Sequence, residues 1–312
     1  MAQAADRVAG RLLVRRGRPA FSFESVVPFL LILPSIIAIA LFVYVFIGYT
    51  GFISLTGWNS IVPDYTFVGL EQYRQLLDLE RFQWDLGNTV RFTAVFLTLS
   101  ILIGFGAALL LDQRLRGTFL FQNIFLFPLA ISFVVTGLVW RWMWNPNFGL
   151  NELFQRAGLG FLQLDWLTKP DTALYPVAIA AVWQMSGFCM AMFLAGLRGI
   201  PEELREAAQV DGASWLQTFR FIILPLLSPI LLAAIIILGH ISLKIFDLVF
   251  VMMGISGGPG FGADMPGLHM FVATFRQNLY ARGAAIATVL LLMVAVLIVP
   301  YLIWQQREER RA

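Results

Sequence analysis

Six long apolar runs, separated by shorter polar connections, dominate the chain. A helix that crosses a lipid bilayer needs about 20 consecutive, mostly apolar residues. Six stretches meet that requirement, and the fifth continues toward residue 253: 27–49, 89–111, 123–143, 173–197, 221–239 and 284–304. The pattern therefore predicts an all-α integral membrane protein with six transmembrane helices.

Composition supports this prediction. Of the 312 residues, 59% are hydrophobic and 13% are charged, whereas a soluble domain is about 45–50% apolar and about 25% charged. No linker or second soluble domain is visible in the sequence. We therefore predict one transmembrane domain at 27–304, with a basic tail at 1–26 before it and a short tail at 305–312 after it. Because the arginines cluster at the ends of the apolar runs, the net charge of +3 gives no reason to expect a nucleic-acid partner.

The arginines also predict an orientation. In membrane proteins, the connections on the cytoplasmic side carry an excess of Arg and Lys. Most of the arginines lie before the first run, after the last, and in alternate connections: Arg7, Arg11, Arg15, Arg16, Arg18, Arg114, Arg116, Arg198, Arg205, Arg220, Arg307, Arg310 and Arg311. The opposite connections hold Arg74, Arg81, Arg156 and Lys169, which are outnumbered there by Asp and Glu. We expect both termini, and the connection between the fourth and fifth helices, to be cytoplasmic.

The sequence gives no support to nucleotide or metal chemistry in this chain. The two lysines, Lys169 and Lys244, are not preceded by glycine, so a GxxxxGK[ST] phosphate loop is absent. The single cysteine, Cys189, excludes an intramolecular disulfide. The two histidines, His240 and His269, lack companion ligands at a useful spacing for a metal. We expect no cofactor in this chain.

One polar stretch, EELREAAQVDGASWLQTFRFIILP at 202–225, separates the fourth and fifth runs. Strong helix formers follow Pro201, which suits a first helical position, and Asp211-Gly212 is a turn signal. The pattern predicts a short helix, a turn and a second amphipathic piece. From these residues alone, the stretch fits either an ordinary interfacial connection or a docking element, and Glu206 is equally typical of a solvated helix.

The same stretch resembles a known motif. Glu206-Ala207-Ala208, then Gly212 and Ile222-x-Leu224-Pro225, are similar to the EAA motif in the membrane subunits of binding-protein-dependent ABC importers. Further segments are similar to the sugar-importer branch, often called the maltose/glycerol-3-phosphate type: NTVRFT from 88, LRGTFLFQNIFLFPLAISFVVTGLVWRWMWNPNFGLNE from 115, GLRGIPEELREAA from 196 and FDLVFVMMGISGGPG from 246. The resemblance covers roughly residues 25–305. The segment from 260 to 285 departs most from the familiar pattern.

The resemblance implies a coupling helix in the loop 201–220, seated in a groove of a separate ATPase subunit. Five residues of the motif would make that contact: Glu206, Ala207, Ala208, Asp211 and Gly212. It also implies four kinds of partner: a second homologous permease subunit, two ATPase subunits that hold ATP and Mg, an extracytoplasmic solute-binding protein, and the lipid of a bacterial or archaeal plasma membrane. The implied function is import of a sugar or a sugar-like solute, with no enzymatic activity in this chain. A non-sugar solute such as glycerol-3-phosphate is the alternative.

Ionisable residues near the end of the fifth run are candidates for a substrate path. His240, Lys244 and Asp247 are spaced i, i+4 and i+7, so a continuous helix would place them on one face. Charges at membrane depth are costly and usually face a cavity or one another. Either these residues line a path, or Lys244 and Asp247 neutralise each other. The resemblance implies the path, because positions before the Gly-Gly-Pro turn contribute to the substrate cavity in that family.

The third and fourth helices supply further candidates for the path. The resemblance adds Gln184, Met185 and Phe188 of the fourth helix. Polarity adds Ser132 and Thr136 of the third helix, which equally fit hydrogen bonds to neighbouring backbone. Amide, hydroxyl and charged groups beside aromatic rings suit a sugar.

Two other function classes have some support. Gly254-Ile255-Ser256-Gly257-Gly258 satisfies GxSxG, which would suit a membrane protease if His269 took the serine proton. A proton-coupled transporter would use His240, Lys244 and Asp247 as a relay, but the chain shows no internal repeat of the kind such transporters commonly have.

Overall fold

The computed structural model describes residues 23–113, 117–162 and 166–309. These residues form helices and connections; among them there is no strand, only an isolated bridge between Thr56 and Phe67. The all-α prediction is confirmed. The chain divides into two units, 1–49 and 50–312.

The described part of the first unit belongs to one long helix, α1. It begins as α-helix Phe23–Ile39, passes through a π-helical turn at Ala40–Val45 and continues as α-helix Phe46–Ile53. None of the side chains in its most apolar part is buried. Lipid or an apolar partner covers a surface of this kind in membrane proteins.

Further helices follow in the described part of the second unit: α2 (Glu71–Asp78), α3 (Glu80–Asp112), α4 (Thr118–Leu126, extended by a 3₁₀ turn Phe127–Ala130), α5 (Phe133–Met143), α6 (Leu150–Arg156), α7 (Leu174–Gly199), α8 (Glu202–Val210), α9 (Trp215–Leu226, with a π-helical turn Phe219–Ile223), α10 (Ser228–Leu243), α11 (Asp247–Met253), α12 (Pro266–Phe271, followed by a π-helical turn Val272–Arg276) and α13 (Tyr280–Glu309).

The described residues contain four candidate spans, or six if each of two bent helix pairs counts as one span, at the places that the apolar pattern predicts. Four are continuous helices: Leu30–Ile53 of α1, then α3, α7 and Tyr280–Arg307 of α13. The other two are bent pairs: α4 and α5 meet at 100°, and α9 and α10 meet at 58°. With each bent pair counted as one span, the six predicted positions are all found. The apolar pattern runs unbroken through both bends and did not predict them.

The core of the second unit is built around α7. Of its most apolar stretch 72% is buried, against 33% for α3 and 6% for α13. Gly104 of α3 permits close approach to α7, because a Cβ there would lie 2.7 Å from the carbonyl oxygen of Ser186 and 2.8 Å from the backbone nitrogen of Met190. Small residues at such positions let two helix backbones pack directly. The α3–α7 pair therefore forms a tightly packed centre.

The fifth span ends earlier than predicted. α10 stops at Leu243, and a new helix, α11, begins at Asp247. The last turn tightens, since the Lys244 amide donates to the Ile241 carbonyl at 3.2 Å. The predicted continuous face carrying His240, Lys244 and Asp247 is therefore wrong. Redirecting the chain brings the apolar Ile245, between the two helices, into the core.

Candidate functional site

The loop 201–220 folds as a helix–turn–helix, as its sequence predicts. α8 begins after Pro201, which is the N-cap rather than the first helical residue, with φ −54° and ψ 130°. Its first turn carries Glu202 and Glu203. Acidic side chains at a helix N-terminus interact favourably with the helix dipole.

A Schellman motif ends α8 and explains the spacing of the glycine. Gly212 has φ +75°, in the left-handed region that glycine adopts without strain. The Ala213 amide donates to the Ala208 carbonyl at 2.9 Å, and the Gly212 amide donates to the Gln209 carbonyl at 3.0 Å. Ser214 then starts α9 with a capping box, in which Gln217 is the reciprocal partner. These hydrogen bonds fix the turn that connects α8 to α9.

Most of the predicted contact residues of this loop are exposed. Glu206, Ala207, Asp211 and Gly212 face outward, whereas Ala208 is buried at 6% exposure. Among the described residues, Glu206 has no hydrogen-bond or ion-pair partner. The loop therefore offers a small-residue surface flanked by carboxylates.

Arg205, on the inward side of α8, was not singled out from the sequence. Its Nη1 donates to Asp112 Oδ2 at 2.9 Å, and its Nη2 donates to the Leu197 carbonyl at 3.0 Å. Asp112 is the last residue of α3, and Leu197 lies in the last turn of α7. One guanidinium thus joins α8 to the ends of the two central helices. The partners lie 93 positions apart in sequence, so no local pattern indicates them.

A cavity of about 510 Å³ lies between α10, α12 and α13. His240 and Lys244 are the ionisable residues of its lining, which is otherwise largely apolar: Phe246, Met270, Phe271, Leu290, Leu291 and Val294. Lys244 and Asp247 are both exposed, and the described residues include no ion pair between them. The two charges therefore do not neutralise each other by contact.

The third- and fourth-helix candidates cluster at the bend between α4 and α5, and none of them lines this cavity. Gln184 Nε2 donates to the Ile131 carbonyl at 2.6 Å, where the helical hydrogen bonds are interrupted. Ser132 caps α5 by accepting from the Val135 amide at 3.3 Å. Gln184, on α7, thus satisfies a backbone carbonyl at the bend, while Ser132 satisfies a backbone amide at the start of α5.

The other three candidates lie beside that bend. Met185 and Thr136 are buried and Phe188 is half-buried. Thr136 Oγ1 and Gln184 Oε1 have no hydrogen-bond partner among the described residues. These two oxygens are the polar atoms of the bend that retain unused hydrogen-bonding capacity.

A buried polar cluster joins the start of α3 to α12 and the residues just before it. Arg81 Nε donates to Asp264 Oδ2 at 2.6 Å, and His269 Nδ1 and Asp85 Oδ2 form a hydrogen bond of 2.6 Å. Asn88 Nδ2 donates to the Asp264 carbonyl at 3.1 Å. The sequence contained one signal that went unused: Arg81, Asp85 and Asn88 recur at i, i+4 and i+7, which marks one polar face of a helix.

Within this polar cluster, the pKa of Asp264 is raised. Its side chain is fully buried. Burial and the neighbouring Asp85 carboxyl raise the pKa of Asp264 to about 7, while the Arg81 guanidinium opposes that rise. The ionised carboxylate therefore depends on Arg81.

The protease hypothesis is not supported by the geometry. Within the described part of the chain, His269 Nδ1 is bonded to Asp85, and no hydrogen bond joins His269 to Ser256, which is exposed. Glycines around Ser256 serve a turn instead, since Gly254, Gly257 and Gly258 all have positive φ. No serine–histidine pair is assembled there.

Comparison with known proteins identifies relatives of the whole chain. The family model described as "Binding-protein-dependent transport system inner membrane component" matches residues 100–312. A probable ABC transporter permease protein of Pyrococcus horikoshii is 42% identical over 283 residues, covering 90% of this chain and 96% of the relative. The xylose/arabinose import permease protein XacH of Haloferax volcanii is 37% identical, covering 84% and 82%. The trehalose/maltose transport system permease protein MalF of Thermococcus litoralis is 33% identical, covering 89% and 93%.

A solved structure has the same fold. The crystal structure of a bacterial ABC transporter involved in the import of alginate superposes with a TM-score of 0.75, covering 92% of this chain and 96% of the matched chain, at 21% sequence identity.

Proposed function

The chain belongs to the family of binding-protein-dependent transport system inner membrane components, and we propose that, as such an ABC transporter permease subunit, it imports a mono- or oligosaccharide. Two of the relatives described above are named for sugars, and they align with most of this chain. ATP hydrolysis takes place in a separate subunit, consistent with the absence of a phosphate loop from this sequence.

The observation that carries the coupling role is the shape of the loop 201–220. α8 and α9 are fixed by the Schellman motif and the capping box, yet Glu206, Ala207, Asp211 and Gly212 remain exposed. We propose that one ATPase subunit docks on this surface. The small side chains allow close approach, and the carboxylates attract basic residues of the groove. A second ATPase subunit would dock on a homologous partner permease, and ATP with Mg would be held by the ATPase pair.

We place the loop and both termini in the cytoplasm of a bacterial or archaeal cell. The support is the arginine excess in alternate connections. A topology reporter inserted beside the exposed Gln75 should report the outside, and one following the C-terminus should report the cytoplasm. The reverse pattern would remove the loop from the compartment that holds ATP.

We propose a substrate path that uses Lys244 and Asp247 as hydrogen-bonding groups. Both side chains are exposed and without an ion-pair partner among the described residues, so they are available to hydroxyl groups. Lys244 and His240 also border the cavity between α10, α12 and α13. The bend of α4 and α5, with Gln184, Met185, Phe188, Ser132 and Thr136, would supply a second wall. Glycerol-3-phosphate remains the alternative solute, because Lys244 would equally bind a phosphate.

Transport would proceed by alternating access. A loaded extracytoplasmic binding protein docks opposite the loop 201–220, ATP binding closes the ATPase pair, and α8 carries that movement to the membrane helices. The solute then passes from the binding protein to the path. Most of the discrimination between solutes is made by the binding protein, so this chain needs only a modest preference for hydroxyl-rich molecules.

Uptake by reconstituted complexes tests the proposal. The complex is purified through a tag on this chain, placed in proteoliposomes with its binding protein, and supplied with radiolabelled sugars or glycerol-3-phosphate. We expect sugar accumulation that requires both ATP and the binding protein. Uptake that a proton gradient drives without ATP would overturn the proposal in favour of a secondary transporter.

A further inference from the structure

Arg205 is the polar attachment between α8 and the central helices. Two of its nitrogens bond Asp112 of α3 and the Leu197 carbonyl of α7, at 2.9 Å and 3.0 Å. Among the described residues, no other side chain of α8 makes a hydrogen bond or ion pair to a membrane-spanning helix. The forked guanidinium therefore makes a connection that a single ammonium would make less rigidly.

Charge placement makes this connection stronger than an ordinary surface ion pair. Asp112 is the last residue of α3, where the negative end of the helix dipole disfavours a carboxylate. The Leu197 carbonyl belongs to the last turn of α7, which also favours a cation. The Arg205 and Asp112 side chains are only 21% and 17% exposed, so water screens their attraction incompletely. One cation thus serves the negative ends of two helices.

The two helices it reaches also pack directly against each other in the core. α3 and α7 meet backbone to backbone at Gly104, so a displacement of one is imposed on the other. The exposed face of α8, by contrast, carries Glu206 and Ala207 and points away from this connection. The docking surface, with Glu206 and Ala207, and the Arg205 connection therefore lie on different sides of the same short helix.

We propose that Arg205 and Asp112 are positioning residues that transmit the movement of α8 to α3 and α7. This role rests on the proposed docking of an ATPase subunit at α8. Without the connection, the ATPase still docks and hydrolyses ATP, but α8 moves independently of the central helices. Fewer solute molecules are then transported for each ATP hydrolysed.

The test measures solute transported per ATP hydrolysed in proteoliposomes. Arg205→Met keeps much of the aliphatic stem and removes the guanidinium, and Asp112→Asn removes the charge at constant shape. Arg198→Met is the matched control, because Arg198 is exposed, lies in the last turn of α7 and has no ion pair or side-chain hydrogen bond among the described residues. We expect each of the first two changes to lower the ratio about fivefold, the lower end of typical coupling strengths, and Arg198→Met to leave it unchanged.

Three further readouts separate transmission from a merely structural role. ATPase copurification should be normal in both variants, and Asp112→Glu should restore most of the ratio. The double variant should lose no more than either single one, because both remove the same contact. If Arg205→Met itself does not accumulate in the membrane, Asp112→Asn decides by the same ratio.

An unchanged ratio would overturn the proposal, and so would loss of ATPase copurification, which would place Arg205 in the docking surface itself. Failure of the proposed function has a different signature, since the unmodified complex would then show no ATP-dependent uptake.

Discussion

Replacing Arg81 by leucine should destabilise the protein through Asp264. Arg81 Nε lies 2.6 Å from Asp264 Oδ2, and the Asp264 side chain is fully buried. The Met265 amide also donates to Asp264, at 2.9 Å, and would be left as the carboxyl group's short-range donor. Loss of a hydrogen bond to a charged group costs about 1.5–3 kcal/mol.

Protonation of Asp264 sets an upper bound on that cost. Without Arg81 the carboxyl would take up a proton in the folded state at neutral pH. Because the pKa with Arg81 present is about 7, this proton costs less than about 1 kcal/mol at pH 7 and about 2 kcal/mol at about pH 8.5, relative to the unmodified protein. Because the 15% exposure of the Arg81 side chain allows some water to replace it, we expect a loss of about 1–2 kcal/mol at about pH 8.5.

The sign of the pH dependence follows from the raised pKa. Burial raises the pKa of Asp264 to about 7 in the folded protein, so well below that value the carboxyl is protonated with or without Arg81. Above it, only the unmodified protein stabilises the ionised form. The difference in stability between Arg81→Leu and the unmodified protein should therefore grow as pH rises from about 5.5 to about 8.5.

Thermal unfolding of the purified complex, followed by tryptophan fluorescence, measures this difference. Arg74→Leu is the matched control, because Arg74 is an exposed arginine on the adjacent α2, with no ion pair or side-chain hydrogen bond among the described residues. We expect Arg81→Leu to unfold several degrees below Arg74→Leu at high pH and much closer to it at low pH. Equal unfolding temperatures at both pH values would refute the reasoning.

Three further predictions concern other parts of the molecule. Gly187→Val should prevent accumulation of folded protein, because a Cβ there would collide with the Phe125 carbonyl oxygen; Gly106→Val, where a Cβ meets nothing within 4 Å, is the control in a membrane-fraction immunoblot. Glu206→Lys and Gly212→Trp should leave membrane abundance unchanged but reduce uptake, by repelling or blocking the ATPase; normal uptake in both would leave the loop a mere connection. Lys244→Met combined with Asp247→Leu should give a complex that hydrolyses ATP yet transports poorly at matched abundance, and full uptake would remove both residues from the substrate path.

The sequence could predict what depends on local composition. Run length predicted six spans because lipid requires about 20 apolar residues in each, and the turn chemistry at Asp211-Gly212 predicted the end of α8. The break after Leu243 could not be predicted, since neither glycine nor proline marks it and the chain turns there to bury Ile245. Nor could the pairing of Arg205 with Asp112, because contacts across 93 residues depend on how helices pack.

For the candidate residues of the substrate path, too, the sequence indicated which residues are polar but not which contacts they make. Polarity and the family resemblance brought Gln184 and Ser132 to attention, but only the bent geometry of α4 and α5 revealed their hydrogen bonds at the interruption. His269 is the opposite case. The sequence offered it only as a partner for Ser256, whereas the fold places it against Asp85, 184 residues earlier.

Cross-linking from α8 tests the central claim most directly. Val210 is 87% exposed at the end of α8, and the native Cys189 is buried and does not compete for reagent. Val210→Cys, carrying a short photoreactive reagent in native membranes, should form an adduct with an ATPase subunit whose yield changes when ATP is added. Gln75→Cys, exposed on α2, should form none with that subunit. An ATPase adduct from Gln75→Cys, or none from Val210→Cys in a complex that contains the ATPase, would contradict the assignment of this loop as the coupling element.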